Sequence, residues 1–412
     1  MYFCRNLNQK ELSTPKKYQF IIQLGKALHR YGVPSYKIES FLKKVSERQE
    51  ITGTFMDLPT SINYIFYENH DQNTYSYVER VAPGVFNLGA LANSVEVARN
   101  LLDNKITIDD AKSQLLAIKK RPNDYHPTFQ IFSFGIAASA FNLLMGTNWI
   151  SFIVSFFVGI IIGFITHFAR RSNYITSTLE SLASFTATII IGLLSVPFPE
   201  INISLTILAS IIIFIPGLSI TTALEEITSK SLVSGTAKLA DAIISLFKQF
   251  FGVILGLQLL PLIIEVPHHD IINNIPKWIS YCAIPLFSLT LIPLFNVRKK
   301  DIVFSILVSS LSFATIYLLA PLGILLSTFL GTITTVMLST IVKNITHTPR
   351  IVFLTQGIIT LVPGSKTFIG LSSVFLHEST SNNVNMVEQV TFILMGIIGG
   401  LIFSGAFKDT KS

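Results

Sequence analysis

Charge is what this sequence has least of. Only 13% of its 412 residues are Asp, Glu, Lys or Arg, half are hydrophobic, and the mean hydropathy is +0.55. Such a composition excludes a single soluble globule and indicates an integral membrane protein. Cysteine is equally sparse: Cys4 and Cys282 lie in different regions, which argues against a structural disulfide. There is no Walker-type glycine-rich loop, no CxxC and no GxSxG. No cofactor or metal is therefore expected, and an ATP-driven pump would need a partner subunit. The opening "MYFCRNLNQKELSTPKK" is polar with no apolar core behind it, so no signal peptide is read there. The front of the chain is expected to stay in the cytosol.

What charge there is lies unevenly. Residues 1–126 hold 17 Lys/Arg and 13 Asp/Glu; the 286 residues from 127 to 412 hold 14 and 11. The first part reads as a soluble domain, and 127–260 and 261–412 as two membrane halves. Most of the net charge of +7 is accounted for by basic residues at helix ends, so no nucleic-acid partner is implied.

In the front, "KKYQFIIQLGKALHRYG" places Phe20, Leu24, Ala27, Leu28 and Tyr31 at helical spacing, with Gly32 as a stop. Ser35 opens a second helix through Val45. The period then changes to two in "GTFMDL", "TSINYIFY" and "TYSYVERV", which predicts three strands. Helices follow from Asn87 and from Thr107. The order α-α-β-β-β-α-α suits a small α/β domain. Glu39 and Asp57 are possible site residues, but read more simply as a solvated helix residue and a strand-end turn.

From Thr128 the apolar runs define ten candidate spans: 128–146, 149–169, 178–196, 202–223, 236–260, 278–296, 301–320, 321–342, 350–371 and 388–407. With the front cytosolic, Arg170, Arg171, Lys230, Lys238, Arg298, Lys299, Lys300, Lys343, Arg350, Lys408 and Lys411 all fall on the cytosolic side, against Lys277 alone opposite. Removing one span scrambles that sorting. The fold expected is thus an α-helical integral membrane protein of about ten transmembrane helices, with a small N-terminal α/β cytosolic domain.

Two of those spans are broken in the same way. "IFIPGLSITT" and "TLVPGSKTF" place Pro216-Gly217 and Pro363-Gly364 inside apolar runs, 147 residues apart. Pro removes a backbone donor and clashes with the preceding turn, and Gly is the next-worst helix former. At that offset "LADAIISLFKQFFGVILG" overlies "MVEQVTFILMGIIGGLIF", so that Asp241 meets Glu388 and Gly252 meets Gly399. Five spans is an odd number, so the second set runs oppositely through the bilayer: a 5+5 inverted repeat, as in many secondary transporters. The plainer reading of each break is a proline kink. Gly159/Gly163, Gly252/Gly256 and Gly396/Gly400 have the small-xxx-small spacing of close helix contacts.

Carbonyls freed before each break, N–H groups freed after it, and nearby hydroxyls could hold a zwitterion. The substrate-binding candidates are Pro216, Gly217, Ser219, Thr221 and Thr222 at the first break, with Pro363, Gly364, Ser365, Lys366 and Thr367 at the second. Lys366 falls about mid-span, where insertion costs roughly 2.5–3.5 kcal/mol unless the charge is paired or hydrated. For proton coupling the candidates are Glu225, Asp241, Lys248 and Glu388. Asp241 and Lys248 lie seven apart, with Ser245 between, and could pair; alternatively Asp241 marks the cytosolic interface. His268-His269-Asp270 reads as solvated loop residues rather than a metal site.

Three stretches of the front, "LHRYGVPSYKIESFLKKV", "DLPTSINYIF" and "GVFNLGALANSVEVARNLLDNKITIDDAKSQL", resemble the cytosolic part of the threonine/serine exporter family. "IFIPGLSITTALEEITSKSLVSGTAKLADAI" and "LTQGIITLVPGSKTFIGL" are similar to its two Pro-Gly spans, in the fused form with both halves on one chain. The resemblance implies a bacterial-type inner-membrane exporter of small hydroxy amino acids, driven by the proton motive force. The expected partners are a small-molecule substrate and the bilayer, and a homo-oligomer is open. An exporter of small carboxylates such as succinate is the alternative. A hydrolase front feeding a pore, or a receptor without transport, are less economical: no nucleophile–base pair is visible, and receptors need no paired broken helices.

Overall fold

In the computed structural model the described residues are 15–68, 73–264, 275–361 and 383–406. The chain divides into two compact units, one of 1–123 with 226–237 and one of 124–225 with 238–412. The first therefore includes a segment, Glu226–Ala237, that the composition of the chain assigns to the first membrane half.

The first unit has the predicted element order. Helices α1 (Lys16–Arg30) and α2 (Ser35–Arg48) precede strands β1 (Thr52–Leu58), β2 (Ser61–Glu68) and β3 (Asn73–Arg80), and α3 (Leu88–Leu102) and α4 (Ile108–Lys120) follow. Between α1 and α2, Gly32 takes φ +79°, a left-handed conformation cheap for glycine. The sheet is antiparallel in the order β1-β2-β3, with Leu58 opposite Ser61 across the tight first turn. Alternation along β2 buries Ile62, Tyr64 and Phe66, and Phe20, Leu24 and Leu28 of α1 and Ile38, Leu42 and Val45 of α2 are buried with them in the core of the unit. Asn87 caps α3 through its side chain, and Thr107 with Asp110 forms a capping box on α4.

The second unit is helical throughout its described residues. Its helices are α5 (Pro127–Leu144), α6 (Trp149–Ala169), the short α7 (Asn173–Ser177), α8 (Leu179–Ser195) and α9 (Ile203–Ile211), which tightens to a 3-10 turn over Ile212–Phe214. Helices α10 (Gly217–Thr228) and α11 (Leu232–Leu259) have residues in both units. Then come α12 (Lys277–Leu294), α13 (Ile302–Leu319), α14 (Ile324–Thr346), α15 (Arg350–Leu361) and α16 (Asn383–Ala406). Each of the ten apolar stretches of the sequence carries a helix among its described residues. Five are long and apolar enough to cross a membrane alone, and a sixth candidate is the bent pair Ile203–Phe214 and Gly217–Thr228. Leu179–Ser195, Tyr281–Leu294, Arg350–Leu361 and Glu388–Ser404 are shorter apolar helices. The division expected at Ala320-Pro321 is a 3-10 turn over Ala320–Leu322, ended by Gly323 at φ +97°.

The small-residue spacings lie at helix contacts. A Cβ on Gly159 or Gly163 would strike the α5 backbone at Phe134 and Ile131. On α11, Gly252 lies against Ser181, Ser184 and Phe185 of α8, and Gly256 against Thr188. On α16, Gly396 lies against Leu325, Thr328 and Phe329 of α14, and Gly400 against Thr332. Those two contact sets correspond residue for residue at an offset of 144. Gly399, the sequence partner expected for Gly252, meets only the Phe329 ring, which lies 3.4 Å from where a Cβ would stand.

Candidate functional site

The first break is built as a bend held by a side chain. Helix α9 winds into its 3-10 turn, Ile215 turns extended, and α10 restarts at Gly217 after a change of direction of 53°. Pro216 cannot donate, so the carbonyls ahead of it lose helical partners. Gln249 of α11, fully buried, supplies one: its Nε2 donates to the Phe214 carbonyl at 2.9 Å. Its other amide atom, Oε1, is buried with no hydrogen-bond partner among the described residues.

Gly217 is buried and Ser219 half-buried at the start of α10. Thr221 and Thr222, 1% and 8% exposed, turn their hydroxyls back to the carbonyls of Gly217 and Leu218 at 3.1 and 2.8 Å. Each hydroxyl so engaged keeps an acceptor lone pair. Leu218 packs against the cluster of Val336 of α14 with Leu354 and Ile358 of α15, on which Leu401 of α16 also packs, so the restart of the broken helix lies among helices of the second half. In α15, Gln356 is fully buried, and both side-chain heteroatoms have no hydrogen-bond partner among the described residues. Pro363, Gly364, Ser365, Lys366 and Thr367 lie outside the described residues, as do His268, His269 and Asp270.

The intramembrane pair suggested for Asp241 and Lys248 takes another form. Asp241 is exposed, and Lys248 approaches Glu180 of α8, Nζ to Oε2 at 3.8 Å. Ser245 donates to the other Glu180 oxygen at 3.5 Å, and the Ser181 hydroxyl donates to the Lys248 carbonyl at 2.8 Å. Seven residues on one helix face put Asp241 and Lys248 two turns apart, about 10 Å, beyond an ion-pair contact. Glu225 is half-buried with a partner, and Glu388 is exposed.

A second polar constellation lies in the first unit, and it overturns the simpler reading of Asp57 and Glu39. Asp57 is 3% exposed: Oδ1 meets His29 Nδ1 at 2.7 Å, and Oδ2 accepts from the Ser35 hydroxyl at 2.8 Å. Its N–H donates to Glu39 Oε1 at 3.0 Å, and His29 Nε2 lies 3.1 Å from the Ala82 carbonyl. The Ser35 N–H, at the start of α2, donates to Glu226 Oε1 at 2.7 Å. Ser234 donates to Glu226 Oε2 at 2.8 Å and lies 2.7 Å from the Ser35 oxygen. A carboxylate on the N-terminal amide of a helix is favoured by charge and by the helix dipole. Burial pushes the Glu39 carboxyl above its usual range, opposed by the Asp57 N–H and reinforced by the charges of Asp57 and Glu226. Both His29 nitrogens are engaged and Ser35 donates to a carboxylate, so the cluster is not arranged as a nucleophile with its base.

His29, Ser234, Glu226, Glu180, Gln249 and Gln356 are not singled out by sequence pattern, and Ser35 only as a helix start; the cap position is Pro34, and the Ser35 hydroxyl bonds Asp57 instead. The partners of Ser35 lie 191 and 199 residues away, beyond any local periodicity. The one signal in the sequence is the acidic pair "EE" at the end of an apolar helix.

A helical membrane protein with a bent span and a small α/β unit is the class these features define. The chain belongs to the threonine/serine exporter family. The family described as "Putative threonine/serine exporter" matches residues 19–260, and "Threonine/Serine exporter, ThrE" matches 280–407. Among curated proteins it is similar to pheromone-regulated membrane protein 10 of Pichia sorbitophila, 27% identical over 59% of this chain and 25% of that protein. The protein of the same name from Eremothecium gossypii is 26% identical over 67% of this chain and 38% of the relative. The chain thus spans well under half the length of these curated relatives. No solved structure matches it.

Proposed function

We propose that the chain is a secondary transporter that exports small hydroxy amino acids, threonine and serine, across the cytoplasmic membrane in exchange for protons. The observation that carries this reading is the Pro216-Gly217 bend with its buried glutamine. A break in an apolar span exposes backbone groups costing several kcal/mol each in lipid unless protein or a water-filled cavity satisfies them. Here Gln249 holds one freed carbonyl and keeps an unused acceptor beside it, an arrangement suited to an ammonium group. The N–H groups opening α10 suit a carboxylate, and the Thr221 and Thr222 hydroxyls suit a substrate hydroxyl.

In this reading ten spans form a 5+5 inverted repeat, with the domain of residues 1–126 and both termini in the cytosol. The glycine contacts repeated at an offset of 144 support it, because the fifth helix packs on the third in one half as the tenth packs on the eighth in the other. Pro363, Gly364, Ser365, Lys366 and Thr367 complete the substrate site from the second half, with Lys366 beside the substrate carboxylate. Glu180 and Lys248, with Glu225, Asp241 and Glu388, form the proton path.

Counterflow in proteoliposomes with threonine, serine and succinate tests the substrate. Threonine and serine should exchange, and exchange of succinate alone would move the assignment to carboxylates. Thr222→Ala and Lys366→Ala should each reduce threonine efflux at least tenfold; normal efflux in both would remove the breaks as the site. Movement indifferent to an imposed pH gradient would remove proton coupling.

A further inference from the structure

The serine–carboxylate chain in the first unit is one proton short if both of its acids are ionised. Three oxygen–oxygen contacts link Asp57, Ser35, Ser234 and Glu226 in series, at 2.8, 2.7 and 2.8 Å. Each is at the length of an O–H···O hydrogen bond and requires one hydrogen between its oxygens. Ser35 and Ser234 supply one hydroxyl hydrogen each, and ionised carboxylates supply none. Two hydrogens cannot serve three contacts. All four side chains are at most 3% exposed, so bulk water is not at hand to relieve the remaining oxygen pair.

We propose that Asp57 and Glu226 bind one proton between them, relayed through Ser35 and Ser234, and that the hold on the Glu226–Ala237 segment depends on it. With the proton on Glu226, Oε2–H donates to Ser234, Ser234 to Ser35, and Ser35 to Asp57 Oδ2. With the proton on Asp57, Oδ2–H donates to Ser35, Ser35 to Ser234, and Ser234 to Glu226 Oε2. The two arrangements interconvert by moving three hydrogens one step along the same three contacts, with no change in total charge. Glu226 Oε1 accepts the Ser35 N–H in both.

The other contacts identified on Asp57 do not add a hydrogen to the three oxygen pairs, whose count is independent of further partners of Glu226 or of Lys37 on α2. His29 meets Asp57 at Oδ1, the oxygen outside the chain, and its Nε2 faces a carbonyl, which can only accept. Glu39 accepts from the Asp57 backbone, and the Tyr64 hydroxyl from β2 donates to the Ile22 carbonyl. On the helices that carry the segment, the ionisable neighbours in sequence are Glu225, Lys230 and Lys238. Loss of the shared proton leaves two buried carboxylates and one oxygen pair in contact with no hydrogen between them. The closed arrangement therefore belongs to the acid side of the pair's titration and loosens as pH rises through it.

This site stands independently of what the chain transports, and its test does not use transport. Hydrogen exchange of the full-length protein in lipid nanodiscs, corrected for the intrinsic rate, would be followed from about pH 5 to about pH 9. Protection of the Ser35 amide and of residues 226–237 should fall at least tenfold across that interval. Glu226→Gln brings its own N–H donors to Ser234, so only the smaller pH dependence owed to Glu39 should remain in its protection. Wild-type protection that ignores pH, or a Glu226→Gln variant as pH-dependent as wild type, would overturn the proposal. An infrared titration needs no variant to fold. A protonated-carboxyl band additional to that of Glu39, retained in Glu39→Gln and lost over the same pH interval as the protection, supports the shared proton; its absence throughout that interval overturns it.

Discussion

Gln249 and Thr222 stand near the same bend but do different work, and substitution should separate them. Gln249→Ala strands the Phe214 carbonyl in a buried setting, so unfolding free energy should drop by about 1–3 kcal/mol, read as a lower thermal midpoint in detergent. Thr222→Ala removes a hydroxyl that, among the described residues, bonds its own helix, and should shift stability by no more than about 1 kcal/mol. Glu39 gives a pH signature. Its carboxyl titrates above the ordinary value, so the stability it contributes is complete below its unfolded value and is lost as pH rises through the raised folded value. Glu39→Gln keeps the acceptor for the Asp57 N–H without the charge. Its thermal midpoint relative to wild type should therefore be higher at about pH 8 than at about pH 5. At this scale the sequence is least legible. Glu39 and Asp57 look like surface residues because the cluster they belong to is joined by Glu226 and Ser234, which bond Ser35 from a segment nearly two hundred residues on.

Elements are the legible scale, since helices and strands follow from period, caps and breakers within a few residues. The switch from period 3.6 to period 2 locates β1–β3, and Pro-Gly locates the bend at 216–217. What local pattern does not supply is register between helices. Aligning the two Pro-Gly pairs sets Gly252 against Gly399, whereas packing sets Gly252 against Gly396, three residues nearer. The reason is that breaks tolerate small differences in flanking length, while two helix backbones in contact do not. Gly252→Val and Gly396→Val should both be destabilising by about 1–3 kcal/mol through backbone collision, and Gly399→Ala should be tolerated. Thermal unfolding of the three variants side by side checks this; a Gly399→Ala variant as damaged as Gly396→Val would restore the sequence register.

For the whole molecule, the first unit is made from two separated pieces of chain, 1–123 and 226–237. A 1–126 fragment should therefore melt below the same fragment with residues 226–237 appended through a flexible linker; equal midpoints would show that the segment adds nothing to the unit. A ribosome makes residues 124–225 between those pieces. At translation speeds of about 5–20 residues per second, Asp57 and Ser35 wait about 10 to 40 seconds for Glu226 and Ser234 to be synthesised. The part of the protein begun first is thus not finished until a long apolar stretch has been made, and its closure records that the stretch is in place.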